Sequence, residues 1–166
     1  ARLLKAVLQR LNRALDALIA GVNIVELDPG ETSVGYGGLP NADGVVQLDS
    51  SCMHGPTKRA GGVAALEGVR TPSLVAQAVM EQTSHHLLAG NGAQSFARAH
   101  GFKIEDDLNS DESRRLWLEW KRRIGPSAEL DPETRAEIGH GVMLEMIAEG
   151  LVDLARDRPA LHGQAQ

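Results

Sequence analysis

The sequence has few aromatic residues, a single cysteine and no long apolar run. Phe, Trp and Tyr make up 3% of the 166 residues, so a core must be built from closely packed Ala, Val, Leu and Gly. Cys52 alone excludes an internal disulfide, and no Cys/His spacing matches a zinc site. No apolar run is long enough to span a bilayer, and residues at the N-terminus show no charged region followed by an apolar block and a cleavage site. We therefore predict no metal, no cofactor and no membrane partner, while the compartment stays open.

Basic residues are too few and too scattered to form a nucleic-acid surface. The formal net charge is −5, and the longest basic run is the three residues 121–123. A nucleic-acid-binding domain generally carries a clustered basic face. We therefore predict no nucleic-acid partner.

The first half of the chain predicts a helix, a loop and two strands. Apolar residues recur at spacings of three and four through 3–22, which is typical of an amphipathic helix. Glycine and proline concentrate in 29–44 and predict a shaped loop. The short apolar runs 45–48 and 62–66 predict strands buried on both faces, joined by a turn at 55–58.

The second half predicts four more helices. The second helix begins after Thr71 as N-cap with Pro72 in the first position, and the third covers 92–100. The fourth covers 110–123, with Asn109 or Ser110 as its cap.

A fifth helix is predicted from Asp131 to Arg156, with one face formed by residues between 139 and 154. Residues 157–166 have no periodicity and predict a flexible tail. We assign 1–166 to a single α/β (α+β) domain. Two strands are too few to cover these helices, so the missing strands are expected from another chain.

The most informative segment is residues 33–41, SVGYGGLPN. Three glycines in four positions let backbone approach a ligand or another chain closely. Their spacing matches neither a phosphate-binding loop nor a dinucleotide-binding turn. Composition alone leaves two interpretations open, a structural turn and a loop that forms a site.

Residues 48–55 collect Asp, Ser, Cys and His and suggest a nucleophile or a metal site. Along a strand, Asp49, Ser51 and Met53 would share one face, and Cys52 and His54 the other. We interpret Cys52 as a buried structural cysteine, with a Cys52–His54 dyad as the alternative.

Two other polar groups have ordinary explanations. His85 and His86 are predicted late in the second helix, where neighbours diverge by about 100° and cannot share one metal without other ligands. The acidic run from Glu105 to Asp107 is predicted to be solvated or to help cap the next helix. Neither group is given a catalytic role.

Several ordered segments together resemble the α subunit of aspartylglucosaminidases and plant-type (isoaspartyl) asparaginases. The strongest are SVGYGGLPNADGVVQLDSSCMHG at 33–55 and RAGGVAALEG at 59–68. The segments 72–102 and 116–121 continue the resemblance, which covers about residues 14–123.

This resemblance implies an N-terminal-nucleophile hydrolase. Its precursor would cut itself into α and β chains and expose a threonine whose hydroxyl attacks and whose amine acts as base. The substrate would be the side-chain amide of free asparagine, of asparagine carrying N-acetylglucosamine, or of a β-aspartyl peptide. The fold would be a four-layer αββα sandwich completed by the β chain, in an (αβ)2 assembly, and the α chain alone would be inactive.

The resemblance also locates one site residue, Ser33. It occupies the position where family members place a polar residue beside the nucleophilic threonine. There its hydroxyl would form a hydrogen bond with the threonine's amine or hydroxyl and orient the attacking group. No threonine of this chain begins the strand expected of the nucleophile, and the tail 157–166 would lie near the cleavage site. His54 stands where the family usually has aspartate. Substrate-binding residues are not predicted.

Two alternative functions stay open. The apolar helix faces would also suit a non-catalytic interaction module, although such a module has no need of a polar residue before three glycines. A cysteine hydrolase using Cys52 is the other alternative, and it requires a neighbouring histidine.

Overall fold

The computed structural model describes residues 2–125 and 132–152 as a mixed α/β arrangement. Its helices are α1 (Arg2–Glu26), α2 (Pro72–Gln82), α3 (Gly90–Ala99), α4 (Asp111–Ile124) and α5 (Pro132–Ala148). Its strands are β1 (Leu48–His54), β2 (Arg59–Leu66) and β3 (Leu88–Ala89). None of the helices in this described part is long and apolar enough to cross a bilayer. The predicted tail at 157–166 lies outside the described residues.

The three strands form one sheet in the order β1-β2-β3. β1 pairs with β2 antiparallel, and β2 pairs with β3 parallel. A single 3₁₀ turn at Gly55–Thr57 joins β1 to β2, which confirms the predicted turn. The sheet positions the helices, because α2 and α3 pack on it through a shared apolar core. That core contains Val63, Leu66, Val69, Val75, Ala76, Val79, Ala93 and Ala97.

The first predicted strand, 45–48, was wrong in its bounds. Asn41 closes a turn there, since its side-chain Oδ1 accepts hydrogen bonds from the backbone N–H of Asp43 at 2.9 Å and of Val45 at 3.1 Å. The Asn41 N–H also donates to the Val45 carbonyl at 2.9 Å. Val45 is therefore committed to the turn, and strand pairing begins only at Leu48.

β1 is buried on one face only, which corrects the expectation of a strand buried on both faces. Leu48 and His54 are buried, whereas Asp49, Ser51 and Met53 are exposed. Met53 retains 74% of its accessible surface. The predicted division of these side chains between two faces is confirmed.

A β-bulge interrupts the β1–β2 ladder. One residue separates Leu48 from Ser50 on β1, but two separate their partners Val63 and Leu66 on β2. The extra residue on β2 is accommodated at Ala65, which has a φ of 48°. The Ala65 N–H donates to Asp49 Oδ1 at 2.7 Å. The extra residue brings both Val63 and Leu66 to the buried side.

Glycine at position 61 allows α2 to lie directly on β2. A Cβ there would stand 2.4 Å from the carbonyl oxygen of Ala76 and 2.4 Å from the nitrogen of Met80. Both atoms are helix backbone, so no rotamer change could relieve the overlap. The close contact of α2 with β2 therefore depends on this glycine.

α1 is packed on one side and open on the other. Leu15 and Ile19 are buried and form a small core with Met80 of α2. Two other apolar side chains of the helix are exposed, Leu18 at 68% and Ile24 at 75%. The helix also runs four residues beyond the predicted end at 22.

The ends of α2 differ from the prediction. The Thr71 side chain makes no capping hydrogen bond, although Pro72 does occupy the first turn. The helix ends at Gln82 because Thr83 turns to extended backbone and its hydroxyl donates to the Val79 carbonyl at 2.8 Å. The placement of His85 and His86 inside this helix was therefore wrong.

The boundaries of α4 and α5 were predicted with mixed success. Ser110 caps α4 in a reciprocal capping box with Ser113, as expected. α5 ends at Ala148 rather than at residue 156, because the N–H groups of Leu151 and Val152 both turn back to the Met146 carbonyl. The predicted buried face holds at Val142 and Met146 but not at residue 150, which is exposed. The expected start at Asp131 lies outside the described residues.

Candidate functional site

Ser33 lies on the glycine loop between α1 and β1, with its side chain exposed to solvent. Its backbone N–H donates to Glu31 Oε1 at 2.6 Å, and its hydroxyl donates to the same oxygen. Glu31 is only 8% exposed, so the anchoring carboxylate is buried while the serine is not. Because the hydroxyl has one hydrogen and gives it to Glu31, Ser33 Oγ can only accept from any further group.

Backbone hydrogen bonds hold this loop against two distant parts of the chain. The Tyr36 N–H donates to the Glu26 carbonyl at 2.7 Å, and the Gly37 N–H donates to the Leu108 carbonyl at 2.9 Å. Gly35 has a φ of 63°, and a Cβ there would stand 2.3 Å from the Glu26 carbonyl oxygen. The loop therefore needs glycine where it crosses the end of α1, and its shape is fixed around Ser33.

A buried carboxylate fastens the end of α1 to the start of α2. Glu26 is 3% exposed, and its Oε1 accepts from the Ser73 N–H at 3.1 Å. Its Oε2 accepts from the Ser73 hydroxyl and from Asn23 Nδ2, both at 2.7 Å. Glu26 thus caps α2 from another helix, in place of Thr71. Glu26 was not predicted as a functional residue, although an acidic side chain after the largely apolar stretch 17–25 was a signal for it.

An ion pair and a cation–π contact support the loop from the other side. Arg70 lies over the Tyr36 ring, with Cζ 3.8 Å from the ring centroid. It also donates two hydrogen bonds of 2.8 Å to Glu105. These bonds lower the pKa of Glu105 and raise the pKa of Arg70. Glu105 is therefore a paired anchor, whereas the sequence predicted a residue that is solvated or helps cap the next helix.

Cys52 has the character of a structural residue. It is partly buried against two of the apolar clusters, and burial raises the pKa of its thiol. A neutral thiol is a weak nucleophile. The proposed partner, His54, is engaged through Nδ1 with the Thr57 hydroxyl at 2.8 Å. Across residues 2–125 and 132–152, no group of three or more His, Cys, Asp or Glu side chains is placed to hold a metal ion.

Comparison with known proteins gives a family and several relatives. A family model described as Asparaginase matches residues 2–140. The N(4)-(Beta-N-acetylglucosaminyl)-L-asparaginase of Elizabethkingia miricola is 42% identical over 144 residues, which cover 87% of this chain and 41% of the relative. The plant-type L-asparaginase of Pyrococcus abyssi is 41% identical over 67% of this chain and 36% of its own length. The plant-type L-asparaginase of Pyrococcus furiosus is 40% identical over a segment that covers 70% of this chain and 38% of the relative.

The chain spans about two-fifths of the length of these curated relatives, from 36% to 41%. The matched part includes α1, the glycine loop, the sheet and the first residues of α5.

Proposed function

Because the chain belongs to the asparaginase family, we propose that it is the α subunit of an amidohydrolase that cleaves the side-chain amide of asparagine. The nucleophile is the N-terminal threonine of a β chain released from the same precursor. The names of the relatives, an L-asparaginase and an N(4)-(Beta-N-acetylglucosaminyl)-L-asparaginase, support this substrate class.

The main support for the proposal is the position and hydrogen bonding of the Ser33 side chain. Its hydroxyl is exposed, oriented by a buried carboxylate and able only to accept a hydrogen bond. The amine of an N-terminal threonine offers N–H groups to such an acceptor. One N–H bound to Ser33 Oγ leaves the nitrogen lone pair directed at the threonine's own hydroxyl, as a base requires.

The proposed reaction has two stages. The threonine hydroxyl attacks the carbonyl carbon of the side-chain amide while the threonine amine takes the hydroxyl proton. The C–N bond then breaks, the proton passes to the leaving nitrogen, and an aspartyl ester remains on the threonine. Water hydrolyses this ester, which releases aspartate and restores the hydroxyl. Ser33 orients the base in both stages.

Two further features support a second chain. α1 leaves Leu18, Val22 and Ile24 exposed, and exposed large apolar side chains that lie close together commonly mark protein contacts. The open face of β1, with Met53 at its edge, would suit a second sheet stacked on the first. We propose that the β chain supplies that sheet and completes a four-layer αββα sandwich, and that two αβ units assemble as (αβ)2.

The alternatives are less well supported. The raised thiol pKa of Cys52 argues against a cysteine hydrolase. A purely structural interaction module would not explain why a serine is held exposed by a buried glutamate.

Replacement of Ser33 tests the proposal. We expect Ser33→Ala to fold normally and to turn over about tenfold more slowly, because it loses one hydrogen bond to the base. Precursor cleavage should slow as well, since the same threonine performs it. The assay measures kcat and KM on L-asparagine, N-acetylglucosaminyl-asparagine and a β-aspartyl dipeptide, and follows processing by intact mass.

Ser95 is an exposed serine on α3, and Ser95→Ala is the matched control. It should leave both the turnover rate and the rate of precursor cleavage unchanged. If Ser33→Ala is processed and hydrolyses all three amides at the parent rate, Ser33 is a turn residue only. If the purified complex contains no chain beginning with threonine, the two-chain mechanism is wrong.

A further inference from the structure

Glu31 is the buried side chain behind Ser33, and it contacts Ser33 through two groups at once. Its Oε1 accepts from the Ser33 backbone N–H at 2.6 Å and from the Ser33 hydroxyl. Glu31 is 8% exposed, whereas Ser33 is open to solvent. Hydrogen bonds to a charged acceptor are about twice as strong as those between neutral groups, and burial strengthens them further. The hydroxyl hydrogen of Ser33 is therefore directed toward the buried carboxylate.

The loop backbone around Ser33 has supports that do not use the Glu31 side chain. The Leu39 N–H donates to the Thr32 carbonyl at 2.8 Å. The Tyr36 N–H donates at 2.7 Å to the carbonyl of the last residue of α1. These two bonds hold the loop on both sides of Ser33. What Glu31 adds to them is a hydrogen bond to the Ser33 hydroxyl itself.

The direction of the Ser33 hydroxyl decides what it offers to a neighbouring amine. A serine hydroxyl donates one hydrogen bond and can accept others. A hydroxyl free to rotate would donate to the lone pair of the threonine amine, which is the same lone pair that must take the proton during the attack. A hydroxyl committed to Glu31 accepts an N–H of that amine instead and leaves the lone pair free.

We propose that Glu31 is a positioning residue for the reaction. Its carboxylate holds the Ser33 hydroxyl hydrogen, so that Ser33 Oγ accepts from the threonine amine and does not compete for its lone pair. Glu31 acts through Ser33 and does not itself contact the reacting atoms. This inference rests on the proposed function, in which a second chain supplies the threonine.

The test begins with two substitutions in the complete protein. Glu31→Gln keeps an acceptor oxygen but removes the charge, and Glu31→Met keeps a similar length without any acceptor oxygen. On the amide that is hydrolysed fastest, we expect kcat to fall about two- to threefold in Glu31→Gln and about tenfold in Glu31→Met, with KM unchanged. Cleavage of the precursor, followed by intact mass, should slow in the same order and gives the comparison where too little mature enzyme forms.

The same two substitutions are then made in the Ser33→Ala variant, which has no hydroxyl to orient. There they should change kcat by less than about twofold, because the interaction through which Glu31 acts is already gone. A glutamate with a purely structural role would lower kcat by the same factor whether or not the hydroxyl is present.

Asp28→Asn is the matched control for the loss of one negative charge. Asp28 is exposed at the start of the same loop, where its Oδ1 accepts from the Gly30 N–H at 2.9 Å. Like Glu31→Gln, this substitution keeps the acceptor oxygen. It should leave kcat and the rate of precursor cleavage unchanged.

The outcomes separate Glu31 from Ser33. Equal losses with and without the hydroxyl, or no loss in Glu31→Met, overturn the role of Glu31 and leave that of Ser33 intact. If Ser33→Ala itself works at the parent rate, the proposed function and this inference fail together. If Glu31→Met does not fold, Glu31→Gln decides the question: a loss of kcat only when the hydroxyl is present supports the positioning role, and any other result overturns it.

Discussion

α1 and α2 contact the sheet region in different ways. α2 lies with its backbone against a glycine of β2, and its inward side chains Val75 and Val79 are fully buried. Among the side chains described for α1, those of residues 14–26, Leu15 and Ile19 join a small apolar cluster and Glu26 makes polar contacts with α2.

The exposed apolar side chains of the two helices differ as well. Leu74 of α2 is 36% exposed, whereas Leu18 and Ile24 of α1 are 68% and 75% exposed. α2 therefore buries most of its apolar side chains, whereas residues 14–26 of α1 leave most of theirs exposed. Ser33 is attached to the less completely packed of the two regions, where we propose that the second chain binds.

The largest effect is expected from adding a methyl group between α2 and β2. Gly61→Ala would place a Cβ against helix backbone at 2.4 Å and should lower the free energy of unfolding by about 3 kcal/mol. Gly55→Ala meets nothing within 4 Å and should change it by less than about 1 kcal/mol. Thermal unfolding of the complete protein compares the two. Equal midpoints would show that α2 does not depend on close approach.

An intermediate effect is expected at the polar joint of α1. Glu26→Gln keeps the shape but turns one acceptor oxygen into a donor that faces the donors of Ser73 or Asn23. The free energy of unfolding should fall by about 2 kcal/mol, because a buried charged acceptor is lost. Glu145→Gln, an exposed substitution on α5, is the control and should be neutral within about 0.5 kcal/mol. A neutral Glu26→Gln would mean that apolar contacts alone hold α1.

The smallest effect is expected on the open side of α1. If a second chain covers this side, Ile24→Ser should destabilise the complete protein by about 1 kcal/mol, since burial of an Ile is lost. Leu118→Ser, at a 55% exposed position of α4, should cost less than about 0.5 kcal/mol. Chemical denaturation of both variants gives the comparison. If they behave alike, the outer side of α1 faces solvent.

Local signals were sufficient for much of this fold. Apolar spacing predicted α1, the turn at 55–58 was evident from Gly55 and Pro56, and Ser110 was one of two predicted caps of α4, with Asn109 as the other. Each of these features depends on residues within a few positions of one another.

Long-range contacts account for what the sequence did not predict. The cap of α2 comes from Glu26, 47 residues away, and Arg70 pairs with Glu105 at a separation of 35. The bulge at Ala65 depends on the side chain of Asp49 on another strand. The loop around Ser33 was predicted, but its anchor in Glu31 was not, and the role of Ser33 beside a nucleophile stays a prediction.

The hairpin of β1 and β2, with α2 packed on it, is drawn entirely from residues 48–82. Its ends are close in sequence, so little chain entropy is lost when it closes, and it can form while later residues are still being synthesised. Both α1, which emerges first, and any polypeptide that follows can then dock on a framework already present. A precursor cut only after folding would thus divide a molecule whose central hairpin was built early and lies wholly on one side of the cut.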